Sequence, residues 1–306
     1  MTYFIIRRLF QFIPVLWGVI TLTFILMFVV PGDPVLSMVG QRYDEEVLEE
    51  LREELHLNEP MLVQYGYFFW DVLHGDLGQS YVTGEPVFET VMEKFPKTMQ
   101  LALGAMVISI IFGLSVGIIS SLKPYSLFDK GSMILALGGI SAPVFWVGLM
   151  LVFLFAVQLQ WFPAAGYGGL AFLVLPAITL GTRSSAFLAR VTRATMLEVR
   201  NKDFIRTATA KGVPGWMVII KHQFVNTLIP VITIIGVDFG SYLSGAVLTE
   251  TIFGWPGIGR LAMDSIMKRD FPMIQGTVLL TAIVFISVNF IVDILYGVID
   301  PRVKHE

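Results

Sequence analysis

LAFLVLPAITLGTRSSAFL, residues 170–188, is long enough to cross a membrane yet carries Pro176 and Arg183. Whether it crosses decides on which side everything after it lies. A hydrocarbon core of roughly 30 Å takes about 20 apolar residues as a helix. Five other runs meet that length plainly: Leu9 to Val30, Met99 to Leu122, Ser132 to Gln158, Val225 to Phe253 and Met273 to Ile299. Of the 306 residues only 15% are charged, against about 25% in soluble domains. The class is therefore an all-α integral membrane protein. Lys and Arg collect on the cytoplasmic side of short loops. With six spans and an inside N-terminus, the inside segments hold Arg7, Arg8, Lys123, Lys130, Arg183, Arg190, Arg193, Arg200, Lys202, Arg206, Lys211, Lys221, Arg302 and Lys304, 14 of the 21 basic residues. Without the 170–188 span, the basic stretch 183–224 would lie outside. Six transmembrane helices follow, with both termini cytoplasmic.

The first run is too long for a signal-peptide core and no small-residue cleavage site follows it, so it reads as an uncleaved anchor. Residues 31–98 form one long extracytoplasmic insertion holding 14 of the 24 acids. Within it, Val47, Leu48, Leu51 and Leu55 of DEEVLEELREEL, residues 44–55, recur at helical spacing. This predicts a short amphipathic helix, either a solvated acidic face or a docking surface for an extracellular partner. VPGDP, residues 30–34, is a helix stop and turn. Neither an internal repeat nor a low-complexity tract divides the chain, and residues 1–306 read as a single transmembrane domain. With no Cys there is no disulfide framework and no thiolate metal site. No GxxxxGK[ST] phosphate loop, HExxH or nucleophile elbow occurs, and none of His56, His74, His222 and His305 falls within a span. An enzyme reading has little to stand on.

The inside loop between the fourth and fifth spans, 190–224, is the odd segment. TRATMLEVRNKDFIRTATAKG has good helix formers, an i, i+4 pairing of Glu198 with Lys202, and Gly212 as a C-terminal stop. After the Val213-Pro214-Gly215 turn, a second short helix puts Trp216, Ile219 and Ile220 on one side, and Pro230 falls inside the next span. Apolar residues on a cytoplasmic helix need cover: another protein, the membrane surface, or neither if the segment is plain loop.

DFIRTATAKGVPGWMVIIKHQFVNTLIPVIT, residues 203–233, resembles the cytoplasmic docking loop of ABC-importer permeases of the dipeptide/oligopeptide/nickel family, as the B-type permease subunit. ETIFGWPGIGRL (250–261), RDFPMIQG (269–276), FVVPGDP (28–34), HGDLGQS (74–80) and YGVIDPR (296–302) resemble the same family, from the first span to the C-terminus. The general importer loop has Glu-Ala-Ala before its glycine; here Arg206-Thr207-Ala208 precedes Gly212, and the longer gap to Pro230 fits the peptide branch and not the sugar branch. The resemblance implies a multi-pass subunit of a prokaryotic cytoplasmic (inner) membrane, in contact with membrane lipid and with no role for nucleic acid. It implies a second related permease, two cytoplasmic ATPases and an extracytoplasmic substrate-binding protein as partners. ATP and magnesium would be held by the ATPases, with no cofactor and no metal on this chain. It implies an ATPase-docking surface at Arg206, Ala208, Lys211, Gly212, Pro214, Trp216, Ile219 and Ile220, with the helix after Gly212 entering a groove. The implied cargo is a di- or oligopeptide, or alternatively glutathione or a nickel chelate, with selectivity residing largely in the binding protein.

Ionisable groups at bilayer depth mark pathways or paired interfaces. Asp238, Ser241, Tyr242, Gly245 and Thr249 share one helical face, either lining the pathway or bonding helix to helix. Asp293, near the inner end of the last span, reads as structural, and Trp146 as packing beside a kink at Pro143. Glu250, near the outer boundary, is gate or cap. A channel or secondary transporter would also tolerate one buried acid, but neither explains the docking loop. No His or Cys lies in a predicted span, which argues against bare metal transit and says nothing about a chelate.

Overall fold

A computed structural model of the chain describes residues 2–29, 49, 52–53, 56–244 and 246–299. The expected turn at 30–34, nearly all of the acidic helix at 44–55, Gly245 and residues 300–306 lie outside the described residues. The described residues are helical apart from turns and one isolated bridge, Gln79 with Pro86. In chain order they form α1 (Thr2–Val29), α2 (Met61–Leu73), α3 (Val87–Leu122), α4 (Leu127–Ser141), α5 (Val144–Leu151, continued by a π-helical stretch Val152–Gln158) and α6 (Leu170–Arg200). Then come α7 (Asp203–Ala210), α8 (Gly215–Leu243), α9 (Val247–Ile252), α10 (Ile258–Lys268) and α11 (Phe271–Ile299). Five of them, α1, α3, α6, α8 and α11, are long and apolar enough to cross a bilayer; α4 and α5 together supply a sixth candidate, bent by 109°.

The 170–188 segment is helical throughout and runs on to Arg200. Pro176 does not end it, because the helix is clasped there: Ala177 packs in a cluster with Leu101 and Trp255. Its main partner is α3. Gly104 meets Ala177, Gly181 meets the carbonyl of Ala105, Gly113 meets Leu188 and Gly117 meets Thr192. A Cβ on Gly117 would lie 2.7 Å from that of Thr192, and one on Gly113 2.9 Å from that of Leu188. Ala105, Ser109, Gly113, Gly117 and Ser121 of α3 recur every fourth residue and are all buried. Such small-residue stripes let backbones approach, which is the main source of helix attraction where lipid removes the hydrophobic drive. The paired numbers rise together, so α3 and α6 run parallel.

The chain between them therefore has to return. Asp129 of α4 is paired with Arg193, Gly139 lies beside Ala186, Gly148 of α5 beside Thr179, and Gly166 beside Phe172. These contacts step back along 21 residues of α6 (193 − 172), roughly 32 Å at 1.5 Å per residue. The start of α4 is clamped: Ser126 caps it by accepting from the Asp129 N–H at 3.2 Å, and Asp129 accepts from the Tyr125 N–H and the Arg193 Nη2, each at 2.7 Å.

Two expected spans are corrected, and a third breaks where its kink was expected. Residues 132–158 bend at Ala142-Pro143, where proline removes a backbone donor. Trp146, expected to pack beside that break, is exposed, and Gly148 is the buried neighbour. The run 225–253 ends as a helix at Leu243 and restarts at Val247. The second span begins at Val87, 12 residues (99 − 87) before its apolar run, because Glu93 and Lys97 form an i, i+4 pair at 2.8 Å that carries the helix beyond the greasy part. On the other flank, α11 runs antiparallel to α8, with Gly236 against Val292 and Gly240 against Phe285, and antiparallel to α1, with Phe12 against Phe290 and Gln275 bonded to the Thr23 carbonyl.

Candidate functional site

Beyond α6 the chain makes a compact double turn. The helix ends at Arg200 instead of running on to Gly212; the Asn201 and Lys202 N–H groups bond the Glu198 and Val199 carbonyls, and the Glu198–Lys202 pair closes at 3.1 Å. After α7, Gly212 has φ +78°, its N–H bonds the Thr209 carbonyl at 3.0 Å, and the Val213 N–H bonds the Ala208 carbonyl at 3.2 Å. These two bonds are a Schellman stop, with the expected hydrophobic contact: Val213 packs on the cluster of Val199, Ile205, Ala208 and Val218. Pro214 holds the cap position ahead of α8, and Gly215 is its first helical residue. The turn is thus internally braced, and it turns other residues outward. Trp216 is 63% exposed, Ile220 57% and Phe204 45%; Arg206, Lys211, Gly212 and Pro214 are exposed too. Ala208 belongs beneath this surface, not on it, and Ile219 is half-buried. Phe204 was missed because its neighbours read as one continuous helix with no outer face of its own.

From Gly215 to Leu243 α8 is one rod, with a π-helical stretch at Val218–Phe224 and a 3-10 turn at Val225–Thr227 that bring Pro230 into the first turn of regular α-helix, where its missing N–H is tolerated. Gln223 anchors the rod to α6 through the Met196 carbonyl at 2.6 Å. Higher up lies the expected polar stripe, and it is shorter than expected. Asp238 is half-buried against Ser184 of α6, and Ser241 is exposed. Tyr242 is buried in a cluster with Ala102, Ala105 and Val292, its hydroxyl near Ser184 but without a well-formed hydrogen bond. Thr249 is buried on α9, past the break in the helix, so it is not on the Asp238 face at all; Gly245 is outside the described residues.

Glu250, left open as gate or cap, has the geometry of a cap. It is fully buried and accepts from the Thr98 hydroxyl at 2.8 Å and the Arg260 N–H at 2.9 Å, while Thr98 accepts from the Ile258 N–H at 2.8 Å. The first turn of α10 is thereby closed by two side chains from other helices, and a carboxylate suits the positive end of a helix. Burial pushes the Glu250 carboxyl up, and the Arg260 N–H, Thr98 hydroxyl and Gly259 N–H pull it back. Gly257 and Gly259 are required by approach: a Cβ on Gly257 would run into Glu250 and Thr98, and one on Gly259 would come within 2.9 Å of the Val247 backbone. Trp255 is fully buried and donates to the Lys97 carbonyl at 2.8 Å. Nearby, Asp270 accepts from the Ser80 hydroxyl and from the Tyr81 N–H at 3.1 Å. Burial, and then the Asp270 charge, push the Tyr81 phenol up to about 12.

Residues 109–305 match the family described as binding-protein-dependent transport system inner membrane component, and residues 1–102 match the corresponding N-terminal family of transport-system membrane components. The chain belongs to this family. Among its relatives, the di/tripeptide transport system permease protein DppB of Pseudomonas aeruginosa (strain UCBPP-PA14) is 43% identical over 335 residues, covering 100% of both chains. The dipeptide transport system permease protein DppB of Escherichia coli (strain K12) is 41% identical over 338 residues, again covering 100% of both. A putative peptide transport system permease of Brucella abortus (strain 2308) is 43% identical over 314 residues with the same full coverage. In fold, the permease is similar to a chain of the MetNI methionine ABC transporter in inward-facing form, with TM-score 0.56 and 13% identity over 69% of this chain and 96% of that one.

The permease is therefore a multi-pass inner-membrane transport subunit, not an enzyme, and the motifs that carried the resemblance divide by job. ETIFGWPGIGRL builds the Glu250 junction, and RDFPMIQG meets HGDLGQS through Asp270 and Ser80. Both are packing devices of one end of the bundle. The segment 203–220 presents Phe204, Trp216 and Ile220 outward on a braced turn.

Proposed function

We propose that this permease forms a peptide-conducting pathway with a second, related permease, driven by cytoplasmic ATPases and fed by an extracytoplasmic binding protein. The observation that carries the reading is the braced turn at Gly212 with Phe204, Trp216 and Ile220 exposed around it, in a chain that has no nucleotide-binding motif of its own. ATP and magnesium then belong to the partners. Full-length similarity to permeases named for dipeptides and tripeptides supports peptides as the cargo. Six crossings are supported by the parallel course of α3 and α6, which requires the bent α4–α5 pair to return the chain. An inside N-terminus, inside docking turn and outside 31–98 insertion then satisfy the bias of basic residues.

The test is reconstitution of the complex with its binding protein in proteoliposomes. ATP-dependent uptake of a dipeptide is the expected result; uptake without ATP, or of glutathione or a nickel chelate in preference to peptides, would overturn the reading. The orientation has its own check, simplified by the absence of native thiols. Glu59→Cys should react with an impermeant maleimide from outside only, and Lys202→Cys from the cytoplasmic side only. The reverse pattern at either position rejects the scheme.

For Asp238, pathway lining predicts a separation of assembly from transport. Asp238→Leu roughly keeps volume while removing the charge beside Ser184. The complex should still assemble, with uptake altered. Normal uptake, or loss of the folded complex, would assign Asp238 to helix packing.

A further inference from the structure

Arg183 was counted among the cytoplasmic charges on sequence, and its depth says otherwise. It lies between Gly181, which meets Ala105, and Leu188, which meets Gly113. Those α3 residues are in the middle of the apolar run Met99–Leu122, so Arg183 is near mid-membrane. It is exposed, and among the described residues its guanidinium forms neither a hydrogen bond nor a closed ion pair. A charge facing lipid at that depth is expensive, which is why such groups face water-filled cavities or partners. Arg183 also heads a stripe: Phe187, Arg190 and Ala194 are exposed on the same face of α6, at steps of four, three and four residues toward the docking turn. On α8, which runs antiparallel to α6, Gln223 bonds the Met196 carbonyl and Leu180 of α6 packs on the cluster that holds Tyr242, so Asp238 comes level with residues 183–184. Among the described residues no ion pair closes between it and Arg183.

A guanidinium and a carboxylate on adjoining helices, held apart, complement a small zwitterion. We infer that Arg183 takes the terminal carboxylate of a peptide in transit, with Asp238 receiving its ammonium group. This rests on the peptide reading above. An arginine fork matches a carboxylate in two parallel hydrogen bonds. Because that carboxylate is common to every peptide, the contact reads the class of cargo and leaves side chains unread, as a pathway downstream of a selective binding protein requires.

The experiment is charge restoration in the complete complex, possible because this chain has no cysteine. Arg183→Cys should leave ATPase association and basal hydrolysis unchanged and lower dipeptide uptake about ten- to hundredfold, the range for losing a charged hydrogen-bonded partner. Treatment with a water-soluble ethylammonium thiosulfonate should restore uptake, and the ethylsulfonate reagent should not; the wild-type complex, treated likewise, corrects for thiols on the partners. Arg183→Lys, which keeps the charge, should assemble and transport better than Arg183→Cys. The inference is overturned by wild-type uptake in Arg183→Cys, by no reaction with either reagent (the face is then packed against the second permease or lipid), by equal restoration with both, or by Arg183→Lys being as defective as Arg183→Cys. A wild-type complex that takes up no peptide overturns both this and the peptide reading, whereas normal uptake by wild type and Arg183→Cys alike overturns this alone.

Discussion

Gly212→Val should leave the permease in the membrane and remove most of the ATP hydrolysis that loaded binding protein stimulates in its complex. No atom crowds this position: a Cβ on Gly212 would find nothing within 4 Å. The cost is conformational, since φ +78° is left-handed backbone, disfavoured by about 1–2 kcal/mol for an ordinary residue and more for a β-branched one. Valine would therefore reshape the Schellman turn, and with it the angle between α7 and α8. Damage should rise from Gly212→Asn through Gly212→Ala to Gly212→Val, following tolerance of the left-handed region. Trp216→Ala tests the same surface without touching the fold, because the ring is already 63% exposed. If it anchors in an ATPase groove, its loss should weaken association by about tenfold or more, as interface anchors do. Lys221→Ala should matter little, since rim charges contribute little net affinity. Wild-type stimulated hydrolysis and uptake in both Gly212→Val and Trp216→Ala would reject this segment as the coupling element and favour a membrane-surface helix.

Glu250→Ala should be among the most destabilising single changes in the chain. It strands the Arg260 N–H and the Thr98 hydroxyl in a site with no solvent exposure. Unpaired buried donors cost about 1–3 kcal/mol each, so the total is on the order of 2–6 kcal/mol, and the detergent-solubilised protein should lose its thermal transition or show it many degrees lower. Glu250→Gln is the informative control. Its amide oxygen can still accept from the Arg260 N–H, but its NH2 then faces a hydroxyl that had been donating to the carboxylate, so only one of the two donors stays paired and the loss should fall between wild type and Glu250→Ala. A thermal midpoint for Glu250→Ala equal to wild type would remove Glu250 from the cap role. Equal damage from Gln and Ala would mean that the negative charge, not the acceptor, is what the junction needs.

The spans were legible because apolar runs report the solvent, and hydropathy is a statement about solvent. Helix ends inside such runs were not, since they concern backbone hydrogen bonding: nothing in the greasiness of 225–253 marks the stop at Leu243 or the restart at Val247. Pro143 was readable as a kink, but 109° is set by how α5 lies on Thr179 and Phe253, far away in sequence. The Gly212 stop was readable because all its bonds are local, within residues 208–213. Glu250 was not, because its hydroxyl partner lies 152 residues upstream. Thr249 was placed on the Asp238 face by periodicity alone, which fails once the helix is interrupted after Leu243. Arg183 was assigned a side by its charge, while the α3 contacts around it fix its depth.

The parallel course of α3 and α6 also constrains the order in which the protein can be made. Neighbouring helices that run in opposite directions can zip together as a hairpin as soon as the second emerges. Two that run the same way cannot; the glycine contacts at residues 104, 113, 117 and 181 have to wait until the bent segment has threaded back and α6 has entered in turn. Closure of that interface is therefore a late step of biogenesis, and a nascent chain stalled before residue 170 holds α3 with its small-residue face still open to lipid or to a chaperone.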